Sequence, residues 1–316
     1  MDVIIACIHY ASAILTIVLP ALGVTYAQAQ IGKTASRMIN EQPEAANALR
    51  KVFLISTVVV EATITIALII TLLFCFRVPH DLPEVIANCG VLLAVGFTGM
   101  CIGFYSAEPA KNAILGLARE PFEDGRATNL ALITLTIMQT PTIFGFVISW
   151  LIFSQSVHAS WSLALSLLAS GIALGLGAFG PLRGQRMFAS EACSCIGINK
   201  HAYSRVLSFT FVSQILIETP ILFSFVTSMI IILLPLNGYL TDISGVKAIA
   251  AALAIALSTL CAGISSGRVS RTACSHIIQH PQNYSLISKT SIISQVLIDT
   301  NVIFGFITML FIVFWL

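Results

Sequence analysis

Apolar runs of about 25 to 35 residues alternate with short polar breaks along the whole chain. A membrane-crossing helix needs roughly 20 apolar residues, so every run is long enough to span a bilayer. Eight helices are expected, at about 3–38, 47–76, 85–117, 127–155, 160–195, 203–236, 246–278 and 286–316. They pair into four tandem hairpins, 1–80, 81–158, 159–240 and 241–316, which makes the fold class an all-α membrane protein. Helices longer than the bilayer is thick must tilt or protrude from it.

Some polar positions interrupt the apolar runs, and they recur. Glu61 sits in Val58-Val59-Val60-Glu61-Ala62-Thr63-Ile64, Glu218 in Gln214-Ile215-Leu216-Ile217-Glu218-Thr219-Pro220, and Asp299 in Gln295-Val296-Leu297-Ile298-Asp299-Thr300-Asn301. Between the first two, Ile137-Met138-Gln139-Thr140-Pro141 has the same frame with an amide in place of the acid. Each stands about 80 residues beyond the last, the signature of an internal repeat. A carboxylate in hydrocarbon costs several kcal/mol, so a buried acid that recurs marks a function.

The polar break inside each hairpin sets a common frame. It reads Gln42-Pro43-Glu44, Arg119-Glu120-Pro121 and His280-Pro281-Gln282, while hairpin three has Ile198-Asn199-Lys200. The acid or amide lies at one fixed offset, about five helical turns, beyond Pro43, Pro121, Lys200 or Pro281. Gln28, Ser106, Gln185 and Ser266 lie at another fixed offset, about four turns before the same marks. In an antiparallel hairpin these positions reach a similar depth, so each acid is expected to face an amide or hydroxyl. The first helix of each hairpin carries small residues at alternate positions, such as Gly99, Cys101 and Gly103, or Gly263, Ser265 and Gly267. Small side chains allow close helix approach in lipid. Alternate placement puts them on more than one face, which suggests tight packing on both sides, as in a closed ring.

Composition agrees: 57% of the residues are hydrophobic and only 9% charged, with a mean hydropathy of +0.94. Soluble domains carry about 25% charged residues. This excludes a soluble enzyme and gives no basic surface for nucleic acid. Nearly all the Lys and Arg residues lie in or beside the mid-hairpin loops; Arg77 and Lys247 are the exceptions. By the positive-inside rule the loops are cytoplasmic and both termini outside. The stretch from Met1 to Gln30 could pass for a signal peptide, but it lacks a basic n-region and repeats the later first helices, so it is expected to be retained. The eight cysteines have no metal-binding spacing and read as small buried thiols. Glu108 and Glu191, near the loop side, are expected to face the rim or pair with Lys111 and nearby basic groups.

Taken together, the small-residue first helix, the proline loop and the mid-membrane acid at fixed spacing resemble the proteolipid that forms the rotor ring (c-ring) of rotary ATP synthases. The resemblance covers nearly the whole chain. The loops are more similar to the F-type, although fusion of hairpins leaves the V/A-type as an alternative. The resemblance implies a ring built with other copies of the chain in a lipid bilayer, in the family's bacterial plasma-membrane setting. It implies a stator protein bearing an arginine and the central-stalk components gamma and epsilon, contacted through loop residues Gln42, Pro43, Arg119, Pro121, Lys200 and Pro281. It also implies that Glu61, Glu218 and Asp299 each carry an ion, that Gln139 with Thr140 marks a vacant position, and that catalysis sits on other parts of the synthase. No cofactor or metal is implied; the cargo is a proton, with sodium the alternative. Support residues on this pattern are Gln28, Gln185, Ser106, Ser266, Thr63, Thr219, Thr300 and the Leu216 carbonyl, which Pro220 leaves without its helical donor. Hairpin three has a sodium-like set, while Asp299 with Ser266 looks like a proton site. Because one rotor carries one ion, the reading favours protons. A proton-coupled secondary transporter with internal repeats is the rival from another class.

Overall fold

A computed structural model describes residues 3–77, 79–157, 159–233 and 244–315. Ten α-helices are present among these residues: α1 (Val3–Glu41), α2 (Ala46–Cys75), α3 (Leu82–Val91), α4 (Thr98–Arg119), α5 (Asp124–Ile137), α6 (Thr140–Gln155), α7 (Trp161–Ile198), α8 (Tyr203–Leu233), α9 (Ser244–Gln279) and α10 (Tyr284–Phe314). They make eight spans long and apolar enough to cross a membrane.

Two expected helices depart from plain α geometry. In the second hairpin's first span, α3 runs into α4 through a wide π-helical turn at Leu92–Phe97. The following span is broken at Met138 and Gln139, between α5 and α6. Pro141 has no N–H to give Ile137, and the Gln139 N–H turns back to Thr136 O at 3.0 Å. The side chain of Thr140 then donates to Ile137 O at 2.9 Å. That carbonyl, which Pro141 deprives of its helical donor, is therefore not free. Pro220 occupies the matching place in α8, yet α8 continues unbroken.

Each mid-hairpin connection is a single 3-10 turn: Pro43–Ala45, Pro121–Glu123, Lys200–Ala202 and Pro281–Asn283. Proline suits the first position, where no N–H is needed. Hairpin three lacks it, and Asn199 caps the turn instead, its side chain accepting from the His201 N–H.

The first helices line up in chain order, with α4 between α1 and α7, and α7 between α4 and α9. Behind them stand α2, α5 with α6, α8 and α10. Neighbouring first helices touch along much of their length, while the second helices meet more sparsely. The wall therefore bends, with the first helices on its concave side. The small-residue pattern explains the close seam. A Cβ on Gly103 would overlap the backbone of Gly23 and Val24, and one on Gly267 would overlap Gly184. Burial on both flanks holds for α4 and α7 only. The first hairpin does not pack against the fourth, so Thr25 and Ala29 on α1, and Cys261 and Ser265 on α9, stay exposed.

Charge stitches adjacent hairpins near the loops. Lys51 pairs with Asp124 at 3.1 Å, Lys200 with Glu120 at 3.0 Å, and Arg271 with Glu191 at 3.4 Å; Arg186 pairs with Glu108. The two first-helix acids thus choose arginines of the next hairpin rather than Lys111. Such half-exposed pairs contribute at most about 1 kcal/mol each, so they set register more than stability. At the opposite end, Arg77 meets the buried Glu84 at 2.6 Å and lies over the Phe153 ring, tying hairpins one and two together. All eight cysteines are free; Cys7, Cys75 and Cys261 are exposed rather than buried.

Candidate ion-carrying sites

Each acid-like position lies within the second span of its hairpin, but the four surroundings differ. Glu61 is exposed on α2, at the open flank of the wall. Gln139 is buried where hairpins one and two meet. Glu218 is half-buried beside hairpin two, with the Thr140 hydroxyl in reach of its carboxylate. Asp299 is buried in α10, and its Oδ1 has no hydrogen-bond partner.

The cross-hairpin contacts are the informative ones. Thr63 of α2 donates to Gln139 Oε1 at 2.5 Å. Thr140, just after Gln139, lies near Glu218 but donates its one hydroxyl proton to Ile137 O. Thr63, two residues past Glu61, thus serves the next hairpin and supports Gln139 rather than its own Glu61. Among the described residues no further hairpin covers that flank of α2, which accounts for the exposure of Glu61.

The expected partners on the first helices do not hydrogen-bond to the acids among the described residues. Ser266 is buried and donates instead to Gln295 Oε1 at 3.3 Å. Gln185 is fully buried, with neither amide atom partnered, and the Ser106 hydroxyl is buried without a partner. Gln28 is half-buried. Thr219 and Thr300 turn back onto their own helices, donating to Ile215 O at 3.1 Å and Leu297 O at 2.7 Å. Leu216 is half-buried, and Pro220 removes the N–H its carbonyl would otherwise accept.

Two glutamines form a layer that the repeat pattern alone did not single out. Gln214 and Gln295 are fully buried, one helical turn before Glu218 and Asp299. Gln214 donates to Thr134 O of hairpin two at 3.2 Å. Gln295 donates to Ser291 Oγ at 3.1 Å and to Ser213 Oγ of hairpin three at 3.4 Å. A glutamine four residues before an acid lies on the same helix face, and that spacing was the available signal.

At the loops, Gln42 and Pro43 line a cleft of about 860 Å³ with Pro121 and the almost fully exposed Phe122. Arg119 and Lys200 lie at neighbouring turns, with Lys200 held by Glu120, and Pro281 opens the fourth turn.

Comparison with known proteins bears on this geometry. Residues 11–74 and 249–312, within the first and last hairpins, each match the family model for the ATP synthase C subunit. The chain is 37% identical over 57 residues to the chloroplastic ATP synthase c-subunit of Cyanidioschyzon merolae, covering 18% of this chain and 70% of that relative. It is 31% identical over 78 residues to the ATP synthase c-subunit of a Synechococcus species, covering 24% of this chain and 95% of that relative.

Proposed function

Because the chain belongs to the ATP synthase c-subunit family, we propose that it is a rotor proteolipid with four fused hairpins, carrying protons on Glu61, Glu218 and Asp299 and none on Gln139. It is a multi-pass membrane component of an ATP synthase, and catalysis belongs to other components. Copies of the chain close a ring by joining the open flank at α1 and α2 to the one at α9 and α10. The loops face the central stalk, gamma and epsilon, on the cytoplasmic side of a bacterial plasma membrane, where the positive charges gather.

The mechanism follows from desolvation. A carboxyl group facing lipid is far more stable neutral, so it holds its proton there. Beside a stator arginine or an aqueous half-channel the ionised form is favoured, and the proton leaves. Rotation alternates the two surroundings, and each charge moved across the membrane potential is worth about 2.3 kcal/mol per 100 mV. An amide cannot take part in this exchange.

The observation that carries this reading is the contrast between Asp299 and Gln139. Asp299 is buried with one carboxyl oxygen unpartnered, ready for a proton, whereas the Gln139 oxygen is occupied by Thr63. Asp299 also supports protons over sodium, since its expected ligand Ser266 is taken by Gln295. Sodium keeps one argument, the unpartnered Gln185 amide on the first helix of the Glu218 hairpin. ATP-driven acidification of vesicles holding the whole synthase decides between them. Pumping is expected to proceed without sodium; a strict sodium requirement overturns the proton assignment.

A further inference from the structure

The seams between hairpins share one register, and the two open flanks carry its unmatched halves. Gly103 sits against Gly23 of the hairpin before it, and Gly267 against Gly184. Counted from the loop marks Pro43, Pro121, Lys200 and Pro281, Cys261 stands where Gly23 does, and Thr25 where Gly103 does. In the same count Ser265 matches Gly184, and Ala29 matches Gly267. All four counterparts are exposed, Cys261 and Ser265 on α9, Thr25 and Ala29 on α1. All are small enough for a close helix approach in lipid. Cys101 holds the place of Cys261 in α4, and there it is buried. A further seam in this register sets α9 of one copy against α1 of the next.

The second helices carry the two halves of a polar contact at matching places. Thr63, two residues past Glu61, is buried and donates to Gln139 Oε1 across the first seam. The residue two past the key position is Pro141 in α6, Pro220 in α8 and Asn301 in α10. Pro141 and Pro220 are buried like Thr63, each in a hairpin that another follows. Asn301 has no following hairpin among the described residues, and it is exposed. The key positions show the converse. Gln139, Glu218 and Asp299 each have a hairpin before them and are buried or half-buried, whereas Glu61 is exposed. One flank therefore offers an uncovered amide, and the other an uncovered carboxyl, at the level where Thr63 meets Gln139.

We propose that Asn301 of one copy donates a hydrogen bond to the Glu61 carboxyl of the next, so that two chains complete this site and its carrier differs from the other two. Glu61 has the reach of Gln139, and the Asn301 side chain reaches farther than that of Thr63, so the contact that spans the first seam spans this one. An amide nitrogen has two hydrogens; Asn301 Nδ2 gives one to Ile298 O at 3.2 Å and keeps the other. A proline side chain has nothing to donate, so Pro141 and Pro220 supply no such bond in the seams of Glu218 and Asp299. The unpartnered Asp299 Oδ1 agrees. With one Glu61 oxygen held by Nδ2, the proton is placed on the other oxygen in a fixed direction, whereas Asp299 is ordered by its cargo alone. Asn301 is thus a positioning residue for Glu61. The inference rests on the closure of copies proposed above, not on which ion is carried.

Two readings on the purified, assembled protein test it. In a chain carrying Ala29→Cys and Ser265→Cys, mild oxidation is expected to join neighbouring copies, and the linked fragment, identified by mass, reports the register. In infrared difference spectra, subtraction of Glu61→Gln isolates the carbonyl stretch of the protonated Glu61 carboxyl. Asn301→Val is expected to move that band to higher wavenumber, as loss of a hydrogen bond does. Asn301→Thr, which restores a donor of the Thr63 type, should leave it in place, and the Glu218 and Asp299 bands should stay put in both. An unmoved Glu61 band in Asn301→Val, an equal shift in Asn301→Thr, or an assembly linked in another register or not at all overturns the proposal. The cysteine link and the Asn301→Thr band decide even where Asn301→Val does not assemble. Neither reading needs a proton to be pumped. A linked assembly with the expected bands that pumps nothing contradicts the ion-carrying account alone, and a pumping assembly without them contradicts this inference alone.

Discussion

The junction between hairpins one and two and the junction at hairpin four are built to one plan and end in different chemistry. At the first, Gln139 is buried and Thr63 donates to its oxygen. At the second, Asp299 is buried and its Oδ1 has no partner. A buried polar atom without a partner costs about 1–3 kcal/mol, so it persists where something else arrives to satisfy it. The Gln139 oxygen is answered by Thr63 while its Nε2 has no partner, and only the acid can fill its orphan oxygen with an exchangeable proton. On the proposed function, one repeat thus yields a resting position and a working one through a single side-chain difference and the threonine that answers it.

The strongest way to break this comparison is to make the working junction like the resting one. Asp299→Asn is expected to reduce ATP-driven proton pumping at least tenfold, a loss of more than about 1.4 kcal/mol of coupling, with assembly intact by size. Pumping at the wild-type rate would remove Asp299 from the mechanism. The reverse change sharpens it: Gln139→Glu should raise the carriers per chain from three to four, read as a higher ratio of protons moved to ATP hydrolysed. The smallest effect is expected from Thr63→Val, which leaves the buried Gln139 amide without its donor. It should destabilise the junction by about 1–3 kcal/mol in thermal unfolding while leaving the proton-to-ATP ratio unchanged. A changed ratio would mean that Thr63 serves Glu61 after all.

Much of this plan was legible in the chain because the repeat is strict. Eight spans, four hairpins and the four key positions follow from periodicity and from counting outward from Pro43, Pro121, Lys200 and Pro281. What remained hidden depends on lateral neighbours, which spacing within one hairpin does not report. Depth alone pairs Ser266 with Asp299, but side-chain direction sends Ser266 to Gln295, one turn nearer the loop. Thr63 looks local and acts across the seam. The break at Gln139 was also concealed, since Pro141 and Pro220 occupy the same place and only the former span is interrupted. The first-helix ion pairs show the same limit. Glu108 and Glu191 reach Arg186 and Arg271 of the next hairpin, and Glu108 does so in preference to Lys111 on its own helix.

The most direct measurement is a count of carboxyl groups modified by a hydrophobic carbodiimide in the intact membrane-embedded assembly, read by mass on the whole chain and then by fragment. Three labels per chain are expected, on Glu61, Glu218 and Asp299, with a fourth appearing only in Gln139→Glu. Four labels in the wild-type chain, or labelling that bypasses Asp299, would contradict the account.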